Sequence, residues 1–280
     1  MLVSTVMFSA MHTMVRHVGQ DLHPFEVAFF RNLFGLAVML PLLVRVGWNG
    51  LRTSHPYMLL TRCVLGGIAM LTWFYGLSVV PVAEATALSF TNVIFASIGV
   101  TLFLGESMRL RRWIAVGFGF VGALIILRPG LQSVSSGMWL VMLSSFVWGM
   151  AVVMVKYLSR TDSVVSIVAW MVIVLTVLSL IPALLVWSWP TLPQLGWLMA
   201  IGALATSAHL AMVKALKLAD ASALLPLDFT RLIWAAIFGY LAFAESPDNW
   251  TWVGGAVIIV SATYLVVREA RARTVDASPQ

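Results

Sequence analysis

Displaced along itself, the chain repeats. When Ser89 is laid on Asp228, an offset of 139 residues (228 minus 89), the stretch Ser89-Phe90-Thr91-Asn92-Val93-Ile94-Phe95 falls on Asp228-Phe229-Thr230-Arg231-Leu232-Ile233-Trp234. Without a gap, Leu102 then meets Leu241, Glu106 meets Glu245, Ser107 meets Ser246, Trp113 meets Trp252 and Ala123 meets Ala262. Upstream, Leu77 meets Leu216 and Leu88 meets Leu227. A long-range duplication in so apolar a chain is the pattern of a transporter built from two related halves, in which the solute site lies between the halves.

Of the 280 residues, 61% are hydrophobic and only 10% are charged. That is too little charge to coat a soluble domain. Apolar runs of about 20 residues recur along the chain, each long enough to cross a hydrocarbon core of roughly 30 Å. Strands of about 10 alternating residues, the signature of an outer-membrane barrel, do not occur. The net charge of +6 comes from basic residues scattered in short loops, without the basic, aromatic-interleaved cluster of a nucleic-acid binder. A single cysteine, Cys63, excludes an intrachain disulfide and any cysteine-based metal site, and it reads as a small apolar helix residue. Met1 opens directly into an apolar stretch with no positive region before it, so the first helix reads as retained rather than cleaved.

The pattern predicts ten spans, at about 1–18, 25–45, 57–79, 82–104, 110–128, 136–158, 163–186, 193–215, 221–243 and 249–268. Breakers mark several joints: Pro81, Pro129-Gly130, Pro190, Pro193 and Ser246-Pro247. With a cytoplasmic amino terminus, the cytoplasmic loops hold thirteen basic residues: Arg45, Arg52, Arg62, Arg109, Arg111, Arg112, Lys156, Arg160, Lys214, Lys217, Arg268, Arg271 and Arg273. The opposite loops hold only Arg16 and Arg128, so both termini are expected in the cytoplasm. Five helices per half is an odd number, so the second half is expected to run inverted. The turn at Glu106 is followed by Arg109, Arg111 and Arg112, whereas its mate at Glu245 has Asp248 and no base. Inversion predicts that difference. The expected fold is therefore an all-α polytopic membrane protein of ten transmembrane helices in two inverted five-helix repeats, 1–130 and 131–270, with a polar cytoplasmic tail over 271–280. Trp48, Trp113, Trp139, Trp187, Trp189, Trp197, Trp250 and Trp252 fall near span ends as interfacial anchors.

The phrase Phe30-Arg31-Asn32-Leu33-Phe34-Gly35 resembles the arginine-bearing second helix of EamA-type members of the drug/metabolite transporter superfamily. Gly105-Glu106, closing the fourth span before a Trp-bearing fifth, resembles it too. The run Ala215-Leu216-Lys217-Leu218-Ala219-Asp220-Ala221-Ser222, followed by Pro226, Asp228 and Arg231, is similar to that family's eighth and ninth helices. The resemblance covers essentially the whole chain as two EamA repeats. It implies a central cavity lined mainly by spans 1, 3, 4, 6, 8 and 9, and export or exchange of small metabolites, often amino acids or related amphiphiles. One departure is Ala244-Glu245, where the family has Gly-Glu, which is expected to reshape only an outer loop.

An ionisable side chain in hydrocarbon costs a few kcal/mol or more, so each needs a reason. Arg231 lies near the middle of span nine, and Asp228 stands three residues earlier on the same helical face. Two readings stay open. The pair clamps a zwitterion, Arg231 taking a carboxylate and Asp228 an amine, or it is a self-neutralised structural pair. Asn92 and Ser89, their repeat mates, keep polarity at the mirrored depth, to line the cavity or to bond between helices. Arg31 either snorkels or pairs with Glu26 or Glu84, or it touches the solute. His12 and His209 are lone intramembrane histidines: packing residues, solute contacts or proton carriers, but no metal site. Trp73, Tyr75, Trp148, Phe229 and Trp234 form an aromatic set, of which Trp73 and Trp148 are the better candidates for stacking or cation–π contact. The candidate solute-binding residues are thus Asp228, Arg231, Asn92, Trp73, Trp148, His209, Ser89, Tyr75 and His12. Pro226 is expected to kink span nine, and its mate Ala87 gives span four no such kink. Gly66-Gly67, Gly117, Gly119, Gly122 and Gly254-Gly255 read as helix-packing positions.

The function these features predict is secondary transport of small polar or amphipathic metabolites across a bacterial cytoplasmic (inner) membrane by alternating access. Export is the leading direction, and import of a vitamin or cofactor-like solute is the alternative. No Walker-type phosphate loop is present. Proton coupling would need a titrating group, and Arg231 should hold Asp228 ionised, so uniport or exchange stands beside proton antiport. Neither an enzyme's catalytic constellation nor a channel's repeated pore ring is found. The expected partners are a small-molecule substrate and the bilayer, with no cofactor and no nucleic acid. One chain already supplies both halves, which predicts a functional monomer.

Overall fold

Helices begin where short polar or prolyl segments meet the apolar runs. In the computed structural model, residues 1–80, 82–105, 110–127, 135–244, 249–250, 252–257, 260–261 and 264 are described. The order is α1 (Leu2–Val18), α2 (Pro24–Val46), α3 (Pro56–Val79), α4 (Val82–Ser89), α5 (Thr91–Leu104), α6 (Leu110–Leu127), α7 (Ser136–Leu158), α8 (Val164–Leu184), α9 (Leu192–Leu218), α10 (Ala221–Leu224) and, after a 3-10 segment over Leu225–Thr230, α11 (Arg231–Phe243). No strand occurs among the described residues. Helices α2, α3, α7, α8 and α9 are each long and apolar enough to cross a membrane. The turns at Glu106 and Glu245, Arg109, Asp248, the tail and part of the tenth span lie outside the described residues.

Local chemistry accounts for these starts. Pro24 and Pro56 sit in the first turns of α2 and α3, where a missing N–H costs nothing. The Ser163 side chain accepts from the Ser166 N–H at 3.0 Å and caps α8. At the head of α9, the Gln194 side chain accepts from the Thr191 N–H at 2.8 Å. Lys156, expected in a loop, is instead buried in α7. Its ammonium donates to the carbonyls of Leu216 at 2.9 Å and Ala219 at 2.7 Å, which are left over at the end of α9.

Spans four and nine differ from the expected continuous helices. The first is interrupted at Phe90, between α4 and α5, and the second tightens into the 3-10 segment before α11. Pro226 removes one backbone donor in the second case. The first half lacks that proline and breaks at the matching place all the same. Hydroxyls account for what the two breaks share: Thr91 Oγ1 donates to the Leu88 carbonyl at 2.9 Å, and its mate Thr230 donates to the Leu227 carbonyl at 2.8 Å. Such side-chain bonds compete with the helical ladder. The expectation that only span nine bends is therefore corrected.

The departure at Ala244 is also resolved. Gly105 ends α5 with φ +65°, and Ala244 ends α11 with φ +55°. The turn at Ala244 thus keeps the left-handed backbone of its mate, and the alanine carries its steric cost of about 1–2 kcal/mol. Glycine there would remove that cost and lose about 0.4–1 kcal/mol to added unfolded-state freedom. Ala244→Gly is accordingly expected to raise stability by about 0.5–1 kcal/mol, read as a higher midpoint in thermal unfolding of the detergent-solubilised protein.

Packing pairs recur in exchanged couples. Helix α3 packs on α7 as α1 does on α9, α5 on α7 as α1 on α11, and α3 on α8 as α2 on α9, while α2 packs on α8. Phe90 meets its repeat mate Phe229 ring to ring at 4.9 Å. Between these helices van der Waals contact, not a hydrophobic drive, holds the bundle inside lipid. Val44, Val177, Leu185 and Leu241 point outward. Trp139, Trp189, Trp250 and Trp252 are likewise exposed, as anchors should be.

Candidate functional site

A cavity of about 80 Å³ lies between the helices. Helix α1 contributes Phe8, Met11 and His12, and α3 contributes a stripe of Arg62, Gly66, Met70 and Trp73. Ser89 and Asn92 enter from the break between α4 and α5, Ser144, Ser145 and Trp148 from α7, His209 from α9 and Arg231 from the start of α11. Helices α2 and α8 add Arg31, Met171 and Leu175, although the resemblance gave neither helix a main part in the lining.

Rings cross the cavity in a connected series. Trp73 lies 5.2 Å from His12, His12 6.2 Å from Phe8, Phe8 4.9 Å from His209 and His209 5.8 Å from Trp148. These centroid spacings suit ring–ring contact, and they join α3, α1, α9 and α7. His209 Nδ1 bonds the Ala205 carbonyl at 2.8 Å, one turn back in its own helix. His12 Nδ1 and Trp73 Nε1 are buried with no hydrogen-bond partner.

Arg231 is held on several sides. Its Nη2 lies 3.1 Å from Asp228 Oδ2 and donates to Ser89 Oγ at 3.2 Å. Its guanidinium lies 5.8 Å from the centre of the Phe90 ring. Its backbone carbonyl accepts from Ser9 Oγ at 2.9 Å. Asp228 is buried but does not border the cavity. The carboxylate thus stands behind the arginine as seen from the cavity, which Arg231 borders and Asp228 does not.

Of the residues singled out in the sequence, His12, Trp73, Ser89, Asn92, Trp148, His209 and Arg231 meet at this one cavity. Tyr75 does not. It is 39% exposed on the outer side of α3, because two residues along a helix is roughly 200° of rotation from Trp73. Phe229 packs between Phe90 and Gly119 rather than on the cavity, and Trp234 stacks on Phe238 at 6.4 Å.

Arg62 departs from its expected place, and two of the alternatives open for Arg31 fall away. Arg31 neither snorkels nor pairs with Glu26. Its Nη1 donates to Asn32 Oδ1 at 2.7 Å and to Met70 Sδ at 3.2 Å. Glu26 is instead taken up by Ser188, whose Oγ lies 3.0 Å from Oε2, and by the His23 N–H at 3.3 Å. The Glu84 side chain lies outside what is described. Arg62, counted among loop charges, is inside α3 and 0% exposed. The signal was available: Pro56 fixes the helix start six residues earlier, and Gly66 stands one turn on.

Comparison with known proteins gives consistent likenesses. The profile of the EamA-like transporter family matches residues 1–128 and again 135–268. An S-adenosylmethionine uptake transporter of Rickettsia bellii is 36% identical over 266 residues, covering 95% of this chain and 91% of that protein. A riboflavin transporter of Rhizobium johnstonii is 32% identical over 88% of this chain and 82% of its own length. A pseudopaline exporter of Pseudomonas aeruginosa is 30% identical over 91% and 90%. A solved crystal structure superposes with a TM-score of 0.78 over 96% of this chain and 98% of its own at 18% identity, a likeness of fold alone.

Proposed function

The chain belongs to the EamA-like transporter family, so it is a membrane transporter of small molecules and not an enzyme, and from that premise we propose that it imports an amphipathic, ring-bearing solute of the cofactor class. The observation that carries the reading is the ring series from Trp73 to Trp148 along one cavity. Flat heteroaromatic rings stack on such surfaces, each contact contributing about 0.5–1.5 kcal/mol beyond area burial. The names of two relatives, an S-adenosylmethionine uptake transporter and a riboflavin transporter, support solutes of this kind. A third relative is named for export, so direction is the part most in need of assay.

In this reading the chain is ten spans in two inverted halves, with both termini cytoplasmic, and the halves rock about the cavity. The exchanged packing couples and the Phe90–Phe229 contact support that arrangement. Trp73, Trp148, His12 and His209 grip the ring of the solute, and Asn92 and Ser89 supply polar contacts from the broken fourth span. Asp228 and Arg231 hold that break in place. The one acid of the pair is already engaged by Arg231, so the mode proposed is uniport or exchange by a monomer rather than proton antiport through Asp228.

The test is uptake into liposomes holding the purified protein, with S-adenosylmethionine, riboflavin and a panel of amino acids, with and without a proton gradient. Saturable uptake of a ring-bearing solute is expected, independent of the gradient and reduced at least about tenfold by Trp148→Leu. Transport confined to amino acids without rings, or equal rates in Trp148→Leu, would overturn the reading.

A further inference from the structure

Positive charge at the cavity is unevenly answered. Arg231 has Asp228 at 3.1 Å. Arg31 and Arg62, on the same cavity, have no carboxylate within ion-pair reach among the described residues. Arg62 is 0% exposed, and Nε, Nη1 and Nη2 have no partner of good hydrogen-bond geometry, the neighbouring Cys63 thiol being the one polar group beside them that interacts with the guanidinium. Arg31 is 5% exposed; its Nε is unpartnered, and its Nη1 reaches only an amide oxygen and a thioether. An unpaired buried charge is among the costliest features a bundle can carry. A buried guanidinium without a carboxylate partner beside a cavity is poised for an acceptor that arrives from outside, and its planar fork matches an oxyanion.

The backbone prepares the place. Arg62, Gly66, Met70 and Trp73 are spaced to lie along one face of α3. The Arg62 side chain lies alongside Gly66, where an added Cβ would come 3.1 Å from Nη1, so the missing side chain leaves its seat. Arg31 comes in from α2 to Met70, on the same stripe. Trp73 Nε1, unpartnered and buried, is a further donor on that face.

We propose that Arg31 and Arg62 form an oxyanion subsite that takes a carboxylate or a single phosphoryl group of the transported solute, while the rings hold the remainder. The proposal rests on the cavity being the solute site, as read above. It assigns the anionic end of the solute to α2 and α3, not to Arg231. It also makes a neutral analogue of the solute a poor ligand.

The experiment is thermal unfolding of the detergent-solubilised full chain with matched probes: indole-3-acetate against indole-3-acetamide, and AMP against adenosine. Plain acetate and inorganic phosphate serve as ringless controls. At saturation the acids are expected to raise Tm by about 5 °C and to bind at least tenfold tighter than their neutral partners. Preference confined to the indole pair makes the group a carboxylate, and preference confined to the adenosine pair makes it a phosphoryl group. Arg62→Met should abolish the preference, Arg62→Lys should keep part of it, and the empty Arg62→Met protein should melt about 2–4 °C higher because an unpaired buried charge is gone. An arginine that only holds structure would lower Tm when replaced. Equal binding of acids and neutral partners, or a preference that survives Arg62→Met, overturns the subsite and leaves the ring reading standing. Acetate and phosphate binding as tightly as indole-3-acetate and AMP would leave the subsite standing and overturn the ring reading.

Discussion

Asp228→Asn is expected to lower the thermal stability of the protein by about 3–5 kcal/mol, which is the range for removing one partner of a buried ion pair. Asp228 and Arg231 are 8% and 7% exposed and lie 3.1 Å apart. With the carboxylate replaced by a neutral amide, the guanidinium keeps acceptors in that amide oxygen and the Ser89 hydroxyl at 3.2 Å, and the face of Phe90, but no counter-charge. None of these offsets a full charge in an apolar setting. The consequence spreads, because Arg231 sits where the 3-10 segment turns into α11 and its carbonyl anchors α1 through Ser9. Arg231→Gln leaves the carboxylate stranded in turn and should cost a similar amount. The double variant Asp228→Asn with Arg231→Gln should recover most of the loss. A coupling energy at least as large as one single loss, about 3–5 kcal/mol, from the four unfolding midpoints is the expected result. The alternative, a solute clamp, predicts the opposite pattern: single variants that melt like the wild type and fail only in transport. Additive losses in the cycle would return the pair to the binding site.

The same pair marks how far the sequence could be read. Spacing of three residues put Asp228 and Arg231 on one helix face, and they do meet. The duplication pointed to Ser89 and Asn92 as their counterparts, and Arg231 does reach Ser89 across the bundle. Apolar runs with polar residues set inside them were thus enough to bring seven of the nine candidate residues to one cavity. What failed did so for local reasons. Tyr75 was grouped with Trp73 by proximity in sequence, although helical rotation turns it outward. Arg62 and Lys156 were counted as loop charges because they lie within a few residues of expected span ends. A span end in sequence is not the end of a helix: Pro56 starts α3 six residues before Arg62, and α7 runs two residues beyond Lys156. Whether a near-terminal cation reaches water or turns inward depends on its neighbours in three dimensions. For Lys156 these are the bare carbonyls of α9, and for Arg62 the gap above Gly66. The interrupted spans were hidden for a similar reason, since a threonine hydroxyl back-bonding to its own helix leaves no mark in hydrophobic periodicity.

Gly202→Val should prevent accumulation of folded protein, and Gly202→Ala should destabilise it even though alanine is the better helix former by about 1 kcal/mol. At this point α9 lies directly on α2. A Cβ on Gly202 would come within 2.8 Å of the Gly35 amide nitrogen and 2.9 Å of the Arg31 carbonyl oxygen. Both are backbone atoms and cannot swing aside, so the two helices must part. Overpacking in a tight core costs about 1–3 kcal/mol, and clashes with main chain belong at the upper end, so the net loss for alanine is about 1–2 kcal/mol after its propensity gain. Gly149 is the parallel case between α7 and α5, where a Cβ would meet the Asn92 carbonyl at 2.9 Å and the Ala96 nitrogen at 3.2 Å. Gly117, with nothing within 4 Å, is the control, and Gly117→Ala should be neutral or stabilising. These crossings also fix the cavity, because the atoms that Gly202 and Gly149 approach belong to Arg31 and Asn92. Separating α2 from α9 moves Arg31 away from Met70, and separating α5 from α7 moves Asn92 away from Trp148. Where Gly202→Ala still folds, its preference for acidic over neutral ring compounds should fall well below that of the wild type. Gly149→Ala should retain that preference while weakening both classes together. Identical binding profiles for the two variants would mean that the crossings set stability alone.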